Sequence, residues 1–322
     1  MKISIIIPVF NAEKYLERCL DSVIQSLNFA KLLNGKKPQA EVILVDNLST
    51  DKSRVICERY VNKYPLALKL IECQKWGASA ARNLGVGIAQ GEYIWFIDAD
   101  DAIFEDAVSE LVKLADETNS DFVMMSAGVV YPKGGAQENY VLNAVLPTLD
   151  DYRSRLVRYG AGPWMFLIRK DWWLKNKLSF REGIIHEDME LISALILYTD
   201  NYNAVDKPLY LYYQNPGSVL HKSEWDPHML DIFPALEGLY TRFKRMKKEK
   251  EYHDELEWFF IRNLLIDSAK DFIRFPEGRK GFKGARKILR KYFPNWRRNK
   301  FFRKKPLRFR LRCELNYWKR IF

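Results

Sequence analysis

The sequence predicts an α/β fold, Rossmann-like, in which a mainly parallel central sheet is flanked by helices. In the first hundred residues, short apolar runs alternate with amphipathic helical patterns, which is the order expected of a parallel sheet. The runs contain few polar residues, as is typical of strands that are buried on both faces. The chain has 322 residues, more than a typical single domain, so a region appended to the α/β body is also expected.

Each apolar run and each helical pattern is assigned in chain order. Strands are predicted at Ile3–Val9, Glu41–Val45, Leu68–Glu72, Tyr93–Ile97, Phe122–Tyr131, Pro163–Ile168 and Leu209–Tyr213. Helices are predicted at Ala12–Ser26, Asp51–Tyr64, Ser79–Ala89, Met189–Tyr198 and Tyr252–Phe272. The stretch from Pro132 to about Asp150 has little periodicity and predicts a loop. We therefore expect residues 1–220 to form the α/β domain and residues 221–322 to form a helical, basic region.

Basic residues are concentrated at the C-terminal end of the chain. Residues 274–322 contain nineteen Lys and Arg against two Asp and Glu, whereas the whole chain carries a net charge of +11. A basic tail interleaved with Phe, Trp, Tyr and Leu is typical of segments that lie on an anionic membrane surface. Nucleic acids are the competing partner for such a segment, and from the residues alone both remain open.

The composition excludes several other classes of protein. No stretch approaches the roughly 18 uninterrupted apolar residues that a membrane span requires. The apolar run at the start of the chain stops at Pro8 and continues into a polar helical pattern, so we do not expect a signal peptide. The four cysteines lack metal-ligand spacing, which favours reduced thiols in a cytosolic compartment.

The most informative stretch is EYIWFIDADD, at residues 92–101, where an apolar strand pattern ends in closely spaced acids. The strand is expected to carry Asp98, Asp100 and Asp101 to the carboxyl edge of the sheet, where ligands of α/β folds bind. Crowded carboxylates repel one another unless a cation lies among them, and hard divalent ions take oxygen ligands. The alternative is that Asp100 or Asp101 caps a helix that begins near Ile103.

Two other strand ends carry candidate ligand-binding residues. Pro8 and Phe10 follow the first strand, where Phe10 can stack on a nucleotide base and backbone groups near Pro8 can bind its edge. Asp46 ends the second strand and can accept a hydrogen bond from a ring N–H such as that of uracil. The chain lacks the glycine-rich GxGxxG and GxxxxGK[ST] patterns, so a phosphate group must be neutralised in another way. Arg82 is a candidate partner for Asp98, Asp100 or a phosphate, with a structural salt bridge as the alternative.

A second acidic pair, Glu187-Asp188, precedes the predicted helix at Met189–Tyr198. Attack of a hydroxyl on an anomeric carbon needs a carboxylate that accepts the proton, and Asp188 at a helix N-terminus suits this role. No protein acid is needed on the leaving side if a metal stabilises a departing diphosphate. The alternative is that both acids merely stabilise the first turn of the helix.

The ordered segments IIIPVFNAEKYLERCLDSV, VDNLSTDKS, ASAARNLG, GEYIWFIDADD and HEDMEL resemble the family 2 glycosyltransferases with the GT-A fold, over roughly residues 1–220. The resemblance implies inverting transfer of a hexose or N-acetylhexosamine from a UDP-sugar, with Mn²⁺ or Mg²⁺, in synthesis of O-antigen, capsule or exopolysaccharide. The resemblance implies that Phe10 and Asp46 contact the nucleotide base and that Arg82 also belongs to the site. It identifies Asp98-Ala99-Asp100 as the DxD motif, with Asp98 towards the ribose and Asp100 on the metal. It assigns Asp188, together with Glu187, to catalysis. His221 is the best-placed candidate for an additional metal ligand, which some relatives have, and a structural surface histidine is the alternative.

The resemblance also sets expectations for partners and place. The acceptor is expected to be a glycan, most naturally a lipid-linked one, and this favours an anionic membrane surface over nucleic acid as the partner of the basic tail. We therefore expect a cytoplasmic enzyme, peripheral on the inner face of the cell membrane, with no nucleic-acid partner. The alternatives are a sugar-phosphate nucleotidyltransferase, which normally carries a glycine-rich segment after the first strand, or a non-catalytic nucleic-acid- or membrane-binding module.

Some positions depart from the pattern of that family. Asn47 and Leu48 stand where Asp and Gly are common, and Lys75 stands where Asn is common. Gln214 stands where Arg is common, which leaves Lys222 or Arg82 as the cation that helps to hold the diphosphate.

Overall fold

A computed structural model describes residues 1–27, 39–130, 138–140, 149–215 and 224–319. The chain divides into two compact units whose segments alternate along the sequence. The first unit comprises Met1–Val145, Gly162–Gly183 and Tyr198–Ser218, and the second comprises Leu146–Ala161, Ile184–Leu197 and Val219–Phe322. These are units of internal contact, and the functional division into residues 1–220 and 221–322 stays a prediction.

The regular elements are numbered here in chain order. The strands are β1 (Ile3–Val9), β2 (Ala40–Asp46), β3 (Leu68–Glu72), β4 (Tyr93–Phe96), β5 (Ala102–Ile103), β6 (Phe122–Val130), β7 (Glu138–Tyr140), β8 (Phe166–Arg169) and β9 (Tyr202–Tyr213). The helices are α1 (Leu16–Leu27), α2 (Ser53–Lys63), α3 (Ala78–Ile88), α4 (Ala107–Thr118), α5 (Leu149–Tyr159), α6 (Lys170–Lys175), α7 (Glu187–Leu195), α8 (Ile232–Arg245), α9 (His253–Arg262), α10 (Ser268–Arg274), α11 (Gly281–Tyr292), α12 (Lys300–Arg303) and α13 (Leu307–Trp318).

The first unit is built on one mixed sheet with the strand order β3-β2-β1-β4-β8-β6-β9-β5, and β7 pairs with β6. Strands β3, β2, β1 and β4 run parallel, β8 is antiparallel to both of its neighbours, and β6 is parallel to β9. Val9 is opposite Asp46, so β1 and β2 end at the same edge of the sheet. Strand β4 ends at that edge as well, because it is parallel to β1 with Ile6 opposite Phe96.

The parallel strands β1, β2 and β4 form as predicted because their apolar runs are buried on both faces, whereas β3 lies at the sheet edge and is partly exposed. Every residue of β2 and β4 is buried. One sheet face packs on α1, where Leu16, Leu20 and Val23 belong to the same apolar cluster as Ile5 and Ile7 of β1. On the other face α3 approaches β1 closely, because a Cβ at Gly85 would lie 2.4 Å from Cγ2 of Ile6. The glycine of the ASAARNLG segment is therefore required by packing.

Several sequence-based assignments are corrected. No helix begins near Ile103: residues Ala102–Ile103 form β5, and α4 starts only at Ala107, so neither Asp100 nor Asp101 is a helix cap. Most of the predicted loop from Pro132 to about Asp150 lies outside the described residues; within it, Glu138–Tyr140 form β7, and helix α5 begins at Leu149. Strand β9 is longer than predicted. The polar Asp206-Lys207-Pro208 break in its apolar pattern is accommodated by a register irregularity beside Ser126.

The second unit consists of α5, α7 and the helices from α8 to α13, in agreement with the predicted C-terminal helical region. The aromatic residues of the basic tail lie largely inside it. Phe282, Phe293, Trp296 and Phe302 are each at most 4% exposed. Among the residues that the structure describes, no helix combines the length and the apolar character needed to cross a bilayer. The four cysteines are free and buried.

Candidate active site

Strand β4 delivers the DxD segment to the edge of the sheet, as its apolar-to-acidic pattern predicted. Asp98 is partly exposed and its Oδ1 lies 2.9 Å from Nη2 of Arg82, which is 6% exposed. The backbone N–H of Asp98 donates to the hydroxyl of Tyr210 at 3.2 Å. The small Ala99 is buried between the two acids. Arg82 from α3 thus neutralises Asp98, which is one of the partners predicted for it.

Asp100 is held by two residues that the sequence analysis did not identify. The side-chain amide of Asn215 donates to the Asp100 carbonyl oxygen at 3.1 Å and to its Oδ2 at 3.2 Å. Nη2 of Arg18, from α1, also donates to the Asp100 carbonyl oxygen. The Arg18 guanidinium lies 3.4 Å from the ring centroid of Tyr213, so it stacks on that ring beside the acidic turn.

Asp101 has a structural role that differs from that of its neighbours. It is 1% exposed and accepts hydrogen bonds from the Tyr210 hydroxyl at 2.7 Å and from the Tyr213 backbone N–H at 2.8 Å. Burial, and then the charges of Asp98 and Asp100, raise the pKa of Asp101 to about 8, although both hydrogen bonds oppose the shift. Asp101 therefore ties the acidic turn to β9 and faces the protein interior.

The exposed part of the acidic turn is suited to a divalent cation. Burial and the charge of Asp98 raise the pKa of Asp100, whose carboxylate accepts one amide hydrogen bond from Asn215. A bound cation would remove this repulsion, and carboxylate oxygens are the ligands that Mg²⁺ and Mn²⁺ take. In the described ranges, a group of three potential ligands within 4.8 Å of one another occurs in the second unit, at His253, Asp254 and Glu257. Within the described residues, Asp98 and Asp100 belong to no such group of three.

The ends of β1 and β2 flank this turn at the same sheet edge. Phe10 is 52% exposed and Pro8 is partly buried, so the Phe10 ring is accessible to a planar ligand. Asp46 is 2% exposed, and its Oδ1 accepts from the Ser49 backbone N–H at 3.3 Å. Oδ1 of Asn11 accepts from the Thr50 backbone N–H at 2.8 Å, which fastens the two loops to each other. The structure thus brings the predicted base-binding residues Pro8, Phe10 and Asp46 to the edge at which Asp98 and Asp100 lie.

Asn47 connects this edge to the loop that precedes α3. Its side-chain amide donates to the carbonyl oxygens of Cys73 at 3.3 Å and Lys75 at 2.6 Å. Its Oδ1 accepts from the Gly77 backbone N–H at 2.8 Å. A carboxylate accepts but cannot donate, so this position requires the amide. The neighbouring Leu48 has a φ of 66°, a left-handed conformation that favours glycine.

These two adjacent residues are expected to respond to substitution with opposite signs. Asn47→Asp should lower the free energy of unfolding by about 2–4 kcal/mol, because a buried carboxylate would face two carbonyl oxygens. Leu48→Gly should raise it by about 0.5–1 kcal/mol, because it relieves the left-handed strain at some cost in chain entropy. Urea unfolding of both variants measures the two effects. Equal stability of Asn47→Asp and the parent chain would contradict the donor role of Asn47.

Arg82 and the following Asn83 are also fixed by the segment after α6. The Arg82 guanidinium lies 5.3 Å from the ring centroid of Phe180. Asn83 exchanges two hydrogen bonds with the Phe180 backbone, at 2.8 and 2.9 Å. Nζ of Lys75 lies 3.0 Å from a carboxylate oxygen of Glu182, so the lysine that stands where Asn is common forms a salt bridge.

Glu187 and Asp188 belong to the second unit and open helix α7. His186 precedes them with a φ of 67°, and Oδ1 of Asp188 accepts from the Met189 backbone N–H at 2.9 Å. The N-terminus of a helix favours negative charge, which suits an acidic pair at this position. Burial lowers the pKa of His186, which opposes its protonation beside them. Their assignment to catalysis stays a prediction. His221 and Lys222 lie outside the described residues.

Comparison with known proteins gives a consistent result. The model of the family "Glycosyl transferase family 2" matches residues 4–176. The chain is 27% identical over 277 residues to the uncharacterized glycosyltransferase YibD of Escherichia coli (strain K12), which covers 81% of this chain and 78% of YibD. It is 26% identical over 275 residues to the poly(ribitol-phosphate) β-N-acetylglucosaminyltransferase TarS of Staphylococcus aureus (strain MW2), which covers 84% of this chain and 46% of TarS.

Solved structures show the same fold. The crystal structure of S. aureus TarS 1–349 in complex with UDP-GlcNAc has a TM-score of 0.76 and 23% identity, and the match covers 98% of this chain and 89% of that one. The mannosyltransferase PcManGT from Pyrobaculum calidifontis, in complex with GDP-Man and Mn²⁺, has a TM-score of 0.54 and 17% identity, with 98% and 87% of the two chains covered. These likenesses confirm the predicted GT-A fold. With the family model matching more than half of its length, the chain belongs to glycosyl transferase family 2.

Proposed function

We propose that the chain transfers a hexose or N-acetylhexosamine from a UDP-sugar to a hydroxyl group of a lipid-linked glycan, with inversion, in cell-surface polysaccharide synthesis. The observation that carries the proposal is the meeting of Phe10, Asp46, Asp98 and Asp100 at one sheet edge. Support for the donor comes from TarS, whose structure was solved with UDP-GlcNAc. Family membership favours this reaction over nucleotidyl transfer, which was the alternative enzyme.

The uridine of the donor is proposed to bind at the ends of β1 and β2. The exposed Phe10 ring offers a stacking surface, and backbone groups near Pro8 offer hydrogen bonds to the base edge. The Asp46 carboxylate can accept from N3–H of uracil, a donor that cytosine lacks. Because Asp46 is 2% exposed, a missing hydrogen bond there is not readily replaced by water. This arrangement favours uracil over cytosine.

The diphosphate is proposed to lie at the acidic turn. Asp100, with Asp98 towards the ribose, would hold Mn²⁺ or Mg²⁺, and the ion when bound supplies positive charge to the leaving diphosphate. Arg82 remains on Asp98 at 2.9 Å and limits the negative charge that the diphosphate meets. The Arg18 guanidinium beside the Asp100 carbonyl adds a second cation to the same turn. His221, outside the described residues, stays a proposed additional ligand.

Asp188 is proposed as the general base. The acceptor oxygen attacks the anomeric carbon, the bond from that carbon to the diphosphate oxygen breaks, and the hydroxyl proton passes to the Asp188 carboxylate. Attack opposite to the leaving group inverts the anomeric centre. Glu187 completes the acidic pair at the start of α7, where the helix N-terminus favours carboxylates in their ionised, proton-accepting form.

The proposed place of action is the cytoplasmic face of the cell membrane, with the enzyme bound peripherally. Residues 274–322 carry nineteen basic and two acidic residues, and each basic residue near an anionic surface contributes about 1 kcal/mol of attraction. A lipid-linked acceptor is presented at the same surface. No nucleic-acid partner is proposed.

A screen of nucleotide sugars tests the proposed donor. We expect UDP-hexoses or UDP-N-acetylhexosamines with Mn²⁺ to raise the melting temperature of the chain, and GDP- and CMP-sugars to have no comparable effect. The same mixtures should release UDP slowly by hydrolysis when no acceptor is present. Stabilisation by a GDP- or CMP-sugar alone would contradict the assignment of Asp46 to uracil.

A further inference from the structure

The last helix, α13, exposes an apolar stripe that the packed core does not use. Leu307, Leu311, Leu315 and Trp318 are 62%, 53%, 73% and 58% exposed. They are spaced by four, four and three residues, which places all four side chains on one face of an α-helix. Four of the fourteen exposed large apolar side chains among the described residues therefore form a single continuous row.

The opposite face of α13 fixes the direction of this stripe. Cys313, Asn316 and Tyr317 are buried in the second unit. The side-chain amide of Asn316 donates to the Leu265 carbonyl oxygen at 2.8 Å, and Nη1 of Arg286 donates to the Tyr317 carbonyl oxygen at the same distance. The helix is thus held by its inner face, and the leucines remain outside.

The charge beside the stripe indicates what it binds. From Lys300 to Lys319 the chain has eight basic residues and one acidic residue, Glu314. Glu314 is already paired with Arg297, through bonds of 2.6 and 2.7 Å. Arg308 and Arg312 are exposed and border the stripe at helical spacing. An exposed row of leucines bordered by exposed arginines has the chemistry of an interfacial helix.

We propose that α13 docks on an anionic lipid bilayer, with Leu307, Leu311, Leu315 and Trp318 in the acyl boundary and Arg308 and Arg312 at the headgroups. The inference deepens the peripheral location proposed above and rests on it. It narrows the proposed membrane contact from residues 274–322 to helix α13, because most aromatic residues of the tail, such as Phe282 and Trp296, are buried.

Other occupants fit these observations less well. Single-stranded nucleic acid is held by exposed aromatic rings that stack on bases, whereas three of the four stripe residues are aliphatic. A second copy of the chain, related by a two-fold axis, would bring the same cluster of positive charge against itself. An anionic bilayer would accommodate the aliphatic side chains in its acyl boundary and the basic side chains at its headgroups.

The test compares variants of the full chain in sedimentation with vesicles of phosphatidylcholine, with and without phosphatidylglycerol. The double variant Leu311→Glu/Leu315→Glu is expected to weaken partitioning onto anionic vesicles at least about tenfold, because it lacks two leucines that the proposal places in the bilayer. Arg308→Gln combined with Arg312→Gln is expected to weaken it on anionic vesicles only.

A matched control replaces exposed leucines of the first unit, Leu66→Glu with Leu174→Glu, at 71% and 56% exposure. This pair is expected to bind vesicles like the parent chain. All four leucines are exposed, so thermal unfolding should show intact folds, and UDP-sugar hydrolysis should be unchanged in every variant.

The possible results separate the two proposals. Unchanged vesicle binding by the Leu311/Leu315 variant would overturn the role of α13 and leave tail-mediated membrane binding standing. Absence of vesicle binding by the parent chain would overturn both, without bearing on sugar transfer. If the chain fails to bind vesicles, two other results would assign the stripe to a different partner. One is RNA binding that the glutamate substitutions abolish, and the other is a dimer that they dissociate.

Discussion

Asp188→Asn should lower the rate of sugar transfer by about 10²–10⁴-fold while leaving the affinity for UDP close to that of the parent chain. The substitution keeps the size of the side chain and its ability to accept from the Met189 backbone N–H, observed at 2.9 Å. It removes the one property that the proposed reaction requires, which is acceptance of the acceptor's proton. Affinity for UDP should persist because the proposed nucleotide contacts lie at the strand edge of the first unit.

Transfer rates at saturating donor, together with calorimetric titration of UDP in Mn²⁺, separate the two effects. Glu277→Gln is the matched control, because Glu277 is an exposed carboxylate of the same unit that has no assigned role. Its rate should equal that of the parent chain. Full activity of Asp188→Asn would remove Asp188 from the mechanism, and a rate loss in Glu187→Gln alone would transfer the role of base to Glu187.

Asp100→Asn is expected to abolish the metal dependence of UDP binding and to reduce transfer by about a hundredfold or more. The amide retains an oxygen for the hydrogen bond from Asn215, observed at 3.2 Å, but it loses the charge that would hold the ion. In the parent chain, chelation of the metal should weaken UDP binding. In the variant, binding with and without Mn²⁺ should be equally weak.

Asp106→Asn provides the control for this substitution. Asp106 is an exposed acid near the acidic turn in sequence, and it pairs with Lys207 at 2.7 Å on the surface. The Asp106 variant should keep both the metal response and the transfer rate. Metal-enhanced UDP binding that survives in Asp100→Asn would show that other groups, among them the proposed ligand His221, hold the ion.

The strands that carry the site could be predicted because their signal is local. The runs at Ile3–Val9 and Leu68–Glu72 are found as predicted, and the β4 run is one residue shorter. Apolar runs bounded by polar loops leave little freedom of assignment when both faces are buried. Helix α5 was missed for the opposite reason: LDDYRSRLVRY is mostly polar, and its place in the fold comes from tertiary contacts such as Ser154 to Glu255 at 3.1 Å.

The acidic residues of the site could be predicted from the sequence, whereas the residues that hydrogen-bond to them could not. Asp98 and Asp100 follow a strand pattern, so their location at the sheet edge can be derived from the chain itself. Arg18 and Asn215 reach Asp100 across 82 and 115 positions, and no periodicity encodes such contacts. The aromatic residues of the tail show the same limit, because composition indicated an amphipathic surface segment whereas Trp296 and Phe302 fill a helical core.

The bonds from Asn215 and from the Tyr213 backbone to the acidic turn have a consequence for biosynthesis. A nascent chain that has emerged only as far as β8 already contains the parallel strands β1 to β4, yet the turn still lacks its donors from Tyr210, Tyr213 and Asn215. The carboxylates of Asp100 and of the buried Asp101 then lack these hydrogen bonds, because pairing across more than a hundred positions must wait for the ribosome to release β9 and the following Asn215. The proposed nucleotide site is therefore completed late during translation, after the sheet that supports it has begun to assemble.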